Sequence, residues 1–402
     1  MNMETSEKKH IVLARKYRPK MLAELIGQDV FVKTISNAIT TNKLHHAFLL
    51  TGTRGVGKTS SARILALSLN CKKFDAPTLT PCLECECCKA ILNGSNPDVI
   101  EFDAASNTGK DDIHEVVLDK IAYAPMMSRY RVYIIDEVHM LSKSAFNAFL
   151  KTLEEPPEKV KFIFATTEVN KVPITIMSRC QKFYLKNVSA DVIFPHLKKI
   201  CEQEEIKYDE ESLKLIAKYA NGSVRDGLSL LDQAISICDS KISFQDVEKM
   251  LAIPDKQMLA ELFYSVYLGD VKDALEKADC FISNEVETFS VVNEIMEIIL
   301  DWLRVASGVI AIEKVGVETA GILIKLIDDN NLNVPRLLRM WQVVSNSLGE
   351  IKSIQSRQYL TILIYKLCYI STLPTPVEIL KTIKDEDLKQ VSLIFPEAKV
   401  VK

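Results

Sequence analysis

Nowhere do the 402 residues contain an uncharged apolar run of the ~20 residues that a membrane-spanning helix needs. The nearest approach, Val291 to Ile312, is broken by Glu294, Glu297, Asp301 and Arg304. The opening residues, Met1 to His10, are polar and charged and lack the apolar core of a secretion signal, so a cytoplasmic protein without a membrane partner is expected. Charge of one sign is lacking too: 50 Lys and Arg against 53 Asp and Glu leave a net −3. Any contact with nucleic acid must therefore come from a local patch or from helix N-termini. Internal repeats and low-complexity tracts are absent. What remains, 48% hydrophobic and 26% charged, is ordinary for globular domains, and the length accommodates two or three.

Residues 1–188 alternate short apolar runs with amphipathic stretches, the pattern of an α/β domain with a parallel sheet. Strands are expected at Ala47–Leu50, Val99–Phe102, Val132–Ile135 and Phe162–Ala165, brief apolar runs of the kind buried on both faces. From 189 to 251 the pattern turns helical. Leu213, Ile216, Ala217, Tyr219 and Ala220 carry helical spacing, Asn221-Gly222 ends that helix, and Ser223 with Asp226 forms a capping box for the next. Ser243 and Asp246 repeat the box spacing. A third, all-helical domain is expected at 252–372. Phe289, Val292, Met296, Ile299 and Leu303 share one helix face, and Leu338, Trp341, Val344, Leu348 and Ile351 another; Leu360, Leu363 and Leu367 follow. Packing or oligomerisation is the role read for it. Residues 373–402 read as a flexible tail.

The strongest chemical signal is Gly52-Thr53-Arg54-Gly55-Val56-Gly57-Lys58-Thr59, followed by Ser60, a phosphate-binding loop between the first strand and a helix carrying Ala62, Leu65, Ala66 and Leu69. Glycines let backbone amides turn inward around phosphates, and the helix N-terminus favours the same anion. Lys58 is placed to bridge β- and γ-phosphates and the Thr59 hydroxyl to hold Mg²⁺. The third strand ends in Asp136-Glu137; Asp136 is read as the second Mg²⁺ ligand and Glu137 as the residue polarising the attacking water. Thr167, closing the fourth strand, is placed near the γ-phosphate or that water. Arg225 falls in a helix's first turn, where a cation opposes the helix dipole unless an anion such as phosphate sits beside it.

Ten cysteines are unevenly spread, five of them between Cys71 and Cys88. Without a secretion signal, such a cluster points to metal more than to disulfides.

Together these pieces resemble the AAA+ ATPases and, within them, the gamma/tau family of bacterial DNA polymerase III clamp-loader subunits. The likeness spans nearly all of residues 11–250. It is carried by Leu13-Ala14-Arg15-Lys16-Tyr17-Arg18-Pro19, Gly27-Gln28, His45-His46-Ala47, the phosphate loop, Asp136-Glu137-Val138-His139-Met140-Leu141, Lys151-Thr152-Leu153-Glu154-Glu155-Pro156-Pro157, Ser178-Arg179-Cys180 and Gly222-Ser223-Val224-Arg225-Asp226. The resemblance implies an adenine and ribose pocket from Ala14, Arg15, Tyr17, Arg18 and Pro19, phosphate sensors at Thr167 and Arg225, and an arginine finger, Arg179, acting in trans on ATP bound by a neighbour. It implies a structural zinc on Cys71, Cys82, Cys85 and Cys88, with Cys87 as an extra thiol able to replace Cys88. Its partners are delta, delta-prime and further gamma/tau copies, the sliding clamp, and primer–template DNA held by its backbone. Ser106 to Lys110 and the region of Lys171 are candidate DNA contacts. The chain stops soon after the third domain and reads as a short gamma-like form or a truncation. Two rival readings fit less well: a non-hydrolysing delta-prime-like subunit, opposed by the intact Lys58, Thr59, Asp136 and Glu137, and a stand-alone zinc module for nucleic acid, opposed by its sparse basic content.

Overall fold

The structure, a computed structural model, describes residues 12–106, 121, 123–238, 241–284, 286–329, 332–351 and 357–373. By packing, the chain divides into two units, Met1–Glu248 and Lys249–Lys402. The tail expected beyond 373 and the segment Asn107 to Lys110 lie outside the described residues.

The first unit is built on five parallel strands, β1 (Ala47–Thr51), β2 (Val99–Asp103), β3 (Arg131–Asp136), β4 (Val160–Thr166) and β5 (Gln181–Tyr184), in the order β2-β3-β4-β1-β5. Alternating side chains supply two cores, one on each face of the sheet. Ala47, Leu49, Tyr133, Ile135, Phe162 and Phe164 face one way, onto Phe146, Phe149 and Leu153. Phe48, Leu50, Val132, Ile134, Ile163 and Ala165 face the other, onto Ile35, Leu65 and Leu69. Double burial explains why β1, β3 and β4 are apolar at nearly every position; β2, expected to be buried on both faces, is an edge strand that buries only Phe102. β5 escaped the sequence reading because it opens on Gln181-Lys182 and buries only Phe183, so no apolar run marks it.

Helices α1 (Leu13–Lys16), α2 (Asp29–Thr40), α3 (Lys58–Asn70), α4 (Glu86–Asn93), α5 (Lys143–Glu154) and α6 (Ile174–Met177) accompany the sheet. Helices α7 (Ala190–Gln203), α8 (Glu210–Tyr219), α9 (Val224–Ile237) and α10 (Phe244–Met250) follow. α8 gives way to Asn221 and Gly222, both at positive φ, as the Asn-Gly pair predicts. Ser223 then caps α9 by accepting the Asp226 N–H at 3.1 Å. Only half of the expected box forms, because the Ser223 N–H is already spent on the Ala220 carbonyl at 2.9 Å.

The second unit contains α11 (Lys256–Leu268), α12 (Val271–Ser283), α13 (Thr288–Ala306), α14 (Val317–Asp328), α15 (Val334–Ile351) and α16 (Arg357–Thr372). Its core centres on Trp302, with the rings of Phe263 and Tyr267 at 4.9 and 5.8 Å. The expected face of α15 is corrected: Leu338 and Trp341 are exposed, and Leu337, Met340, Val344, Ser347 and Ile351 are buried. On α13 the expected Val292 and Ile299 are buried, together with Val291, Ile295, Ile298 and Trp302, while Phe289, Met296 and Leu303 pack at the edge. Both helices carry apolar arcs wider than one stripe, so spacing alone does not fix their centre. No helix among the described residues is long and apolar enough to cross a membrane.

Candidate active site

The phosphate loop joins β1 to α3 at the C-terminal edge of the sheet. Gly57, the residue before α3, has φ +101 and no side-chain cap, which leaves the first-turn N–H groups of α3 free to face an anion. Glycine is required at Gly55: with φ +80, a Cβ there would lie 1.8 Å from Ser223 Oγ. The loop therefore packs directly on the start of α9. Lys58 is 6% exposed, and its ammonium donates to the Gly52 and Thr53 carbonyls at 3.0 and 2.9 Å. Burial lowers its pKa, and nearby Glu137 and Asp136 oppose that shift. A desolvated ammonium resting on neutral carbonyls is poised to accept a more strongly charged partner.

Thr59 Oγ1 donates to Asp136 Oδ2 at 2.5 Å, so the two expected magnesium ligands already meet. An oxygen-only pair at the end of a phosphate loop fits a hard divalent cation. Glu137 follows with φ +46, an uncommon conformation for a residue with a side chain and one that marks functional sites. Its Oε2 accepts from Thr167 Oγ1 and N at 3.0 and 3.3 Å. His139, 6% exposed at its side chain, also approaches this carboxylate, with Nδ1 at 3.4 Å. Thr167 thus meets Glu137 and is not part of the cavity lining.

A cavity of about 770 Å³ opens over the loop. Gly55 to Ser60, Arg54, Asp136 and Glu137 form its floor, and Ala14, Tyr17, Arg18 and Pro19 line it, whereas Arg15, Gly52 and Thr53 do not. Arg225 lines it as well, exposed and without a side-chain partner among the described residues. Sequence reading missed several wall residues. His196, Lys199, Ile200 and Gln203 occupy one face of α7, a spacing visible in retrospect but without a motif to single it out. Burial and Lys199 lower the pKa of His196. Arg63 and Glu101 form a two-pronged ion pair at 2.7 and 2.6 Å at the cavity edge. The N-terminal segment is also strapped to the helices beyond the sheet. Leu13 N donates to Asp232 Oδ2 at 2.6 Å, Lys16 pairs with Glu204 at 2.5 Å, and the Tyr17 hydroxyl bonds the same carboxylate. Burial and Glu204 push the Tyr17 pKa up to about 12.

Arg179 lies away from this cavity. Its guanidinium donates to Glu154 Oε1 at 2.5 Å and to the Thr175 carbonyl at 2.7 Å. Lys171 pairs with Glu168 at 2.8 Å.

The sulfurs of Cys71, Cys82, Cys85 and Cys88 lie within 4.8 Å of one another. Tetrahedral zinc with 2.3 Å bonds places its sulfurs about 3.8 Å apart, so the cluster fits that ion. Backbone N–H groups of Cys82, Cys85 and Cys88 point at the sulfurs of Cys71, Cys82 and Cys85, at 3.3, 3.3 and 3.4 Å, which favours thiolates. Burial pushes the Cys85 pKa up, yet N–H donation from Cys88 and Lys72 wins and brings it down to about 6. Cys87 turns elsewhere: its sulfur accepts from Asn96 and lies near Ser128 Oγ, each at 3.3 Å, and burial raises its pKa. The geometry thus groups Cys88, not Cys87, with the other three.

Three family profiles cover the chain almost end to end: "DNA polymerase III, delta subunit" over residues 27–189, "DNA polymerase III clamp loader subunit, ATPase lid domain" over 192–240, and "DNA polymerase III subunits gamma and tau domain III" over 242–383. The DNA polymerase III subunit gamma of Buchnera aphidicola (Acyrthosiphon pisum) is 42% identical over 358 residues, 86% of this chain and 95% of its own. The subunit tau/gamma of Haemophilus influenzae is 49% identical over 259 residues, 64% of this chain but 37% of that longer protein. Subunit tau of Bacillus subtilis is 40% identical over 89% of this chain and 63% of its own. Among solved structures, the Thermotoga maritima RuvB Holliday junction branch migration motor aligns with TM-score 0.45 and 20% identity, over 62% of this chain and 80% of its own.

Proposed function

This chain belongs to the DNA polymerase III gamma/tau family, and from that premise we propose that it is an ATP-hydrolysing motor subunit of a clamp loader. The observation that carries the reading is the convergence of Lys58, Thr59, Asp136 and Glu137 on one cavity beneath an uncapped helix N-terminus. Residues 189–251 serve as the lid over the nucleotide and 252–372 as the assembly domain. The subunit works in the cytoplasm with delta, delta-prime and further copies of its kind, and acts on a sliding clamp and primer–template DNA.

ATP enters under the strap of Ala14 to Pro19, and Lys58 exchanges loop carbonyls for the β- and γ-phosphates. Thr59 and Asp136 would hold Mg²⁺, which would supply neutralisation of the developing phosphate charge. Glu137 orients and polarises the attacking water once its carboxylate turns from Thr167. Arg225 reads the phosphates from α9, which passes nucleotide state to the lid. Arg179 leaves Glu154 to reach a neighbour's γ-phosphate, so hydrolysis depends on assembly. Zinc on the four cysteines is structural, with no open position for chemistry.

The test is ATP turnover with and without partner subunits, clamp and primed DNA, for wild type, Lys58→Ala and Arg179→Ala. Stimulation by clamp and DNA, lost in both variants, supports the motor with a shared site. A rate indifferent to DNA and to Arg179→Ala leaves only a nucleotide-binding protein.

A further inference from the structure

Beside Glu137 lies a chain of polar contacts that leads to the surface. Lys171, exposed, pairs with Glu168 at 2.8 Å. Glu168 Oε1 lies 3.3 Å from Nε2 of His139. The opposite ring nitrogen, Nδ1, is 2.9 Å from the buried Thr166 hydroxyl and 3.4 Å from Glu137 Oε2. Glu168 N donates to that same Thr166 hydroxyl at 3.0 Å, while Thr167, between them, donates to Glu137. One imidazole therefore touches both the carboxylate read as the water-polarising group and the carboxylate of an exposed ion pair.

The proton inventory makes the arrangement specific. Thr166 Oγ1 accepts from Glu168 N and has one proton to give. Giving it to Nδ1 leaves the ring proton on Nε2, aimed at Glu168. In that tautomer His139 offers Glu137 no donor, and Glu137 leans on Thr167 instead. A proton on Nδ1 reverses this, offering Glu137 a donor and releasing the Nε2 contact. The ring is buried, so it has no water to substitute for either partner.

We propose that His139 is a positioning residue that couples the Glu168–Lys171 pair to Glu137, so that an anion captured by Lys171 resets the attitude of the hydrolytic carboxylate. The anion class is a backbone phosphate of nucleic acid, which competes with Glu168 for the exposed ammonium. Drawing Lys171 away changes the charge on one side of the ring, and the ring's hydrogen bonds change on the other. The inference rests on the reading of Glu137 as the water-polarising group.

The measurement is steady-state ATP turnover by the full-length chain assembled with its partner subunits and clamp, with and without primed DNA, alongside binding of a fluorescent ATP analogue. His139→Ala is expected to lower kcat about tenfold or more while KM and analogue affinity stay within about twofold. Glu168→Gln, outside the ATP cavity, keeps a hydrogen-bonding side chain but removes the charge that Lys171 and the ring both feel. It is expected to cut the ratio of DNA-stimulated to unstimulated rate about fivefold or more. His139→Asn, whose amide can reach Thr166 but not Glu168, is expected to recover part of kcat without recovering the stimulation ratio. Should His139→Ala lose its cooperative unfolding transition, His139→Asn carries the test. A His139 variant whose kcat and stimulation ratio match wild type, with only its melting temperature lowered, overturns the proposal. So does an unchanged ratio in Glu168→Gln. Glu137→Gln separates the two readings: if it still turns over ATP normally, the assignment of Glu137 fails; if it is inactive while His139→Ala is not, only the coupling fails.

Discussion

At the scale of single residues, the polar contacts that hold the first unit together join positions far apart in sequence. Asp98 is the clearest case. Its fully buried carboxylate accepts N–H bonds from Met126, Met127 and Ser128 at 2.8, 2.7 and 2.8 Å and faces Arg131 at 3.4 Å. Burial alone would raise its pKa, but those donors outweigh it and the pKa is lowered. A depressed folded value means that the carboxylate stabilises the fold fully above its unfolded pKa of about 4. The contribution fades as pH falls from there through the folded value. Asp98→Ala should cost about 3–5 kcal/mol at neutral pH, because three N–H groups and a guanidinium lose their acceptor. Urea unfolding at pH 7, 5 and 3 should show the gap between wild type and Asp98→Asn narrowing on acidification; a gap independent of pH counts against the ionised carboxylate. His139, Glu204 and Asp232 share this character. Each is an unremarkable polar residue in its own stretch, and its meaning comes from a partner brought close by the fold.

At the scale of elements, whatever has a local cause was readable. β1, β3 and β4 follow from apolar runs because burial on both faces demands them, and the end of α8 follows from Asn221-Gly222 because left-handed backbone suits that pair. The two edge strands differ: β2 opens on Val99-Ile100 and was readable, whereas β5 opens on Gln181-Lys182 and offers no apolar run. The faces of α13 and α15 were read slightly off centre, because tertiary packing chooses among several apolar positions. The three-residue spacing already favoured Cys88 over Cys87, and side-chain direction agrees: α4 points Cys88 at the other three sulfurs and Cys87 at Asn96 and Ser128. Elemental analysis of the purified protein should therefore find one zinc per chain in Cys87→Ser and none in Cys88→Ser, with the melting temperature falling by several degrees only in the latter. Retention of zinc by Cys88→Ser, with loss in Cys87→Ser, would reverse the assignment.

On the scale of the whole molecule, every residue that lines the nucleotide cavity falls within the first of the two units. A fragment of residues 1–248 holds both sheet cores, the strap and α7 to α9. It should fold by itself and bind a fluorescent ATP analogue within about threefold of the full chain, while losing turnover that depends on assembly. Circular dichroism and fluorescence titration check both parts. Weak or absent binding by a well-folded fragment would mean that the second unit shapes the pocket.

Helix α3 begins at Lys58, in the phosphate loop, and stops at Asn70, immediately before Cys71. Thirteen residues at 1.5 Å each make a strut about 20 Å long, with the phosphate loop at one tip and the four-cysteine cluster at the other. Arg129 braces the cluster end by donating to the Leu69 and Phe74 carbonyls at 2.7 and 2.6 Å. On the proposed reading, a zinc in that cluster would stand far from any reacting phosphate yet fix the far end of the strut. If the cluster holds zinc as proposed, stripping it should act as a loosened bearing does, blurring the stroke while leaving every part that would touch fuel in place.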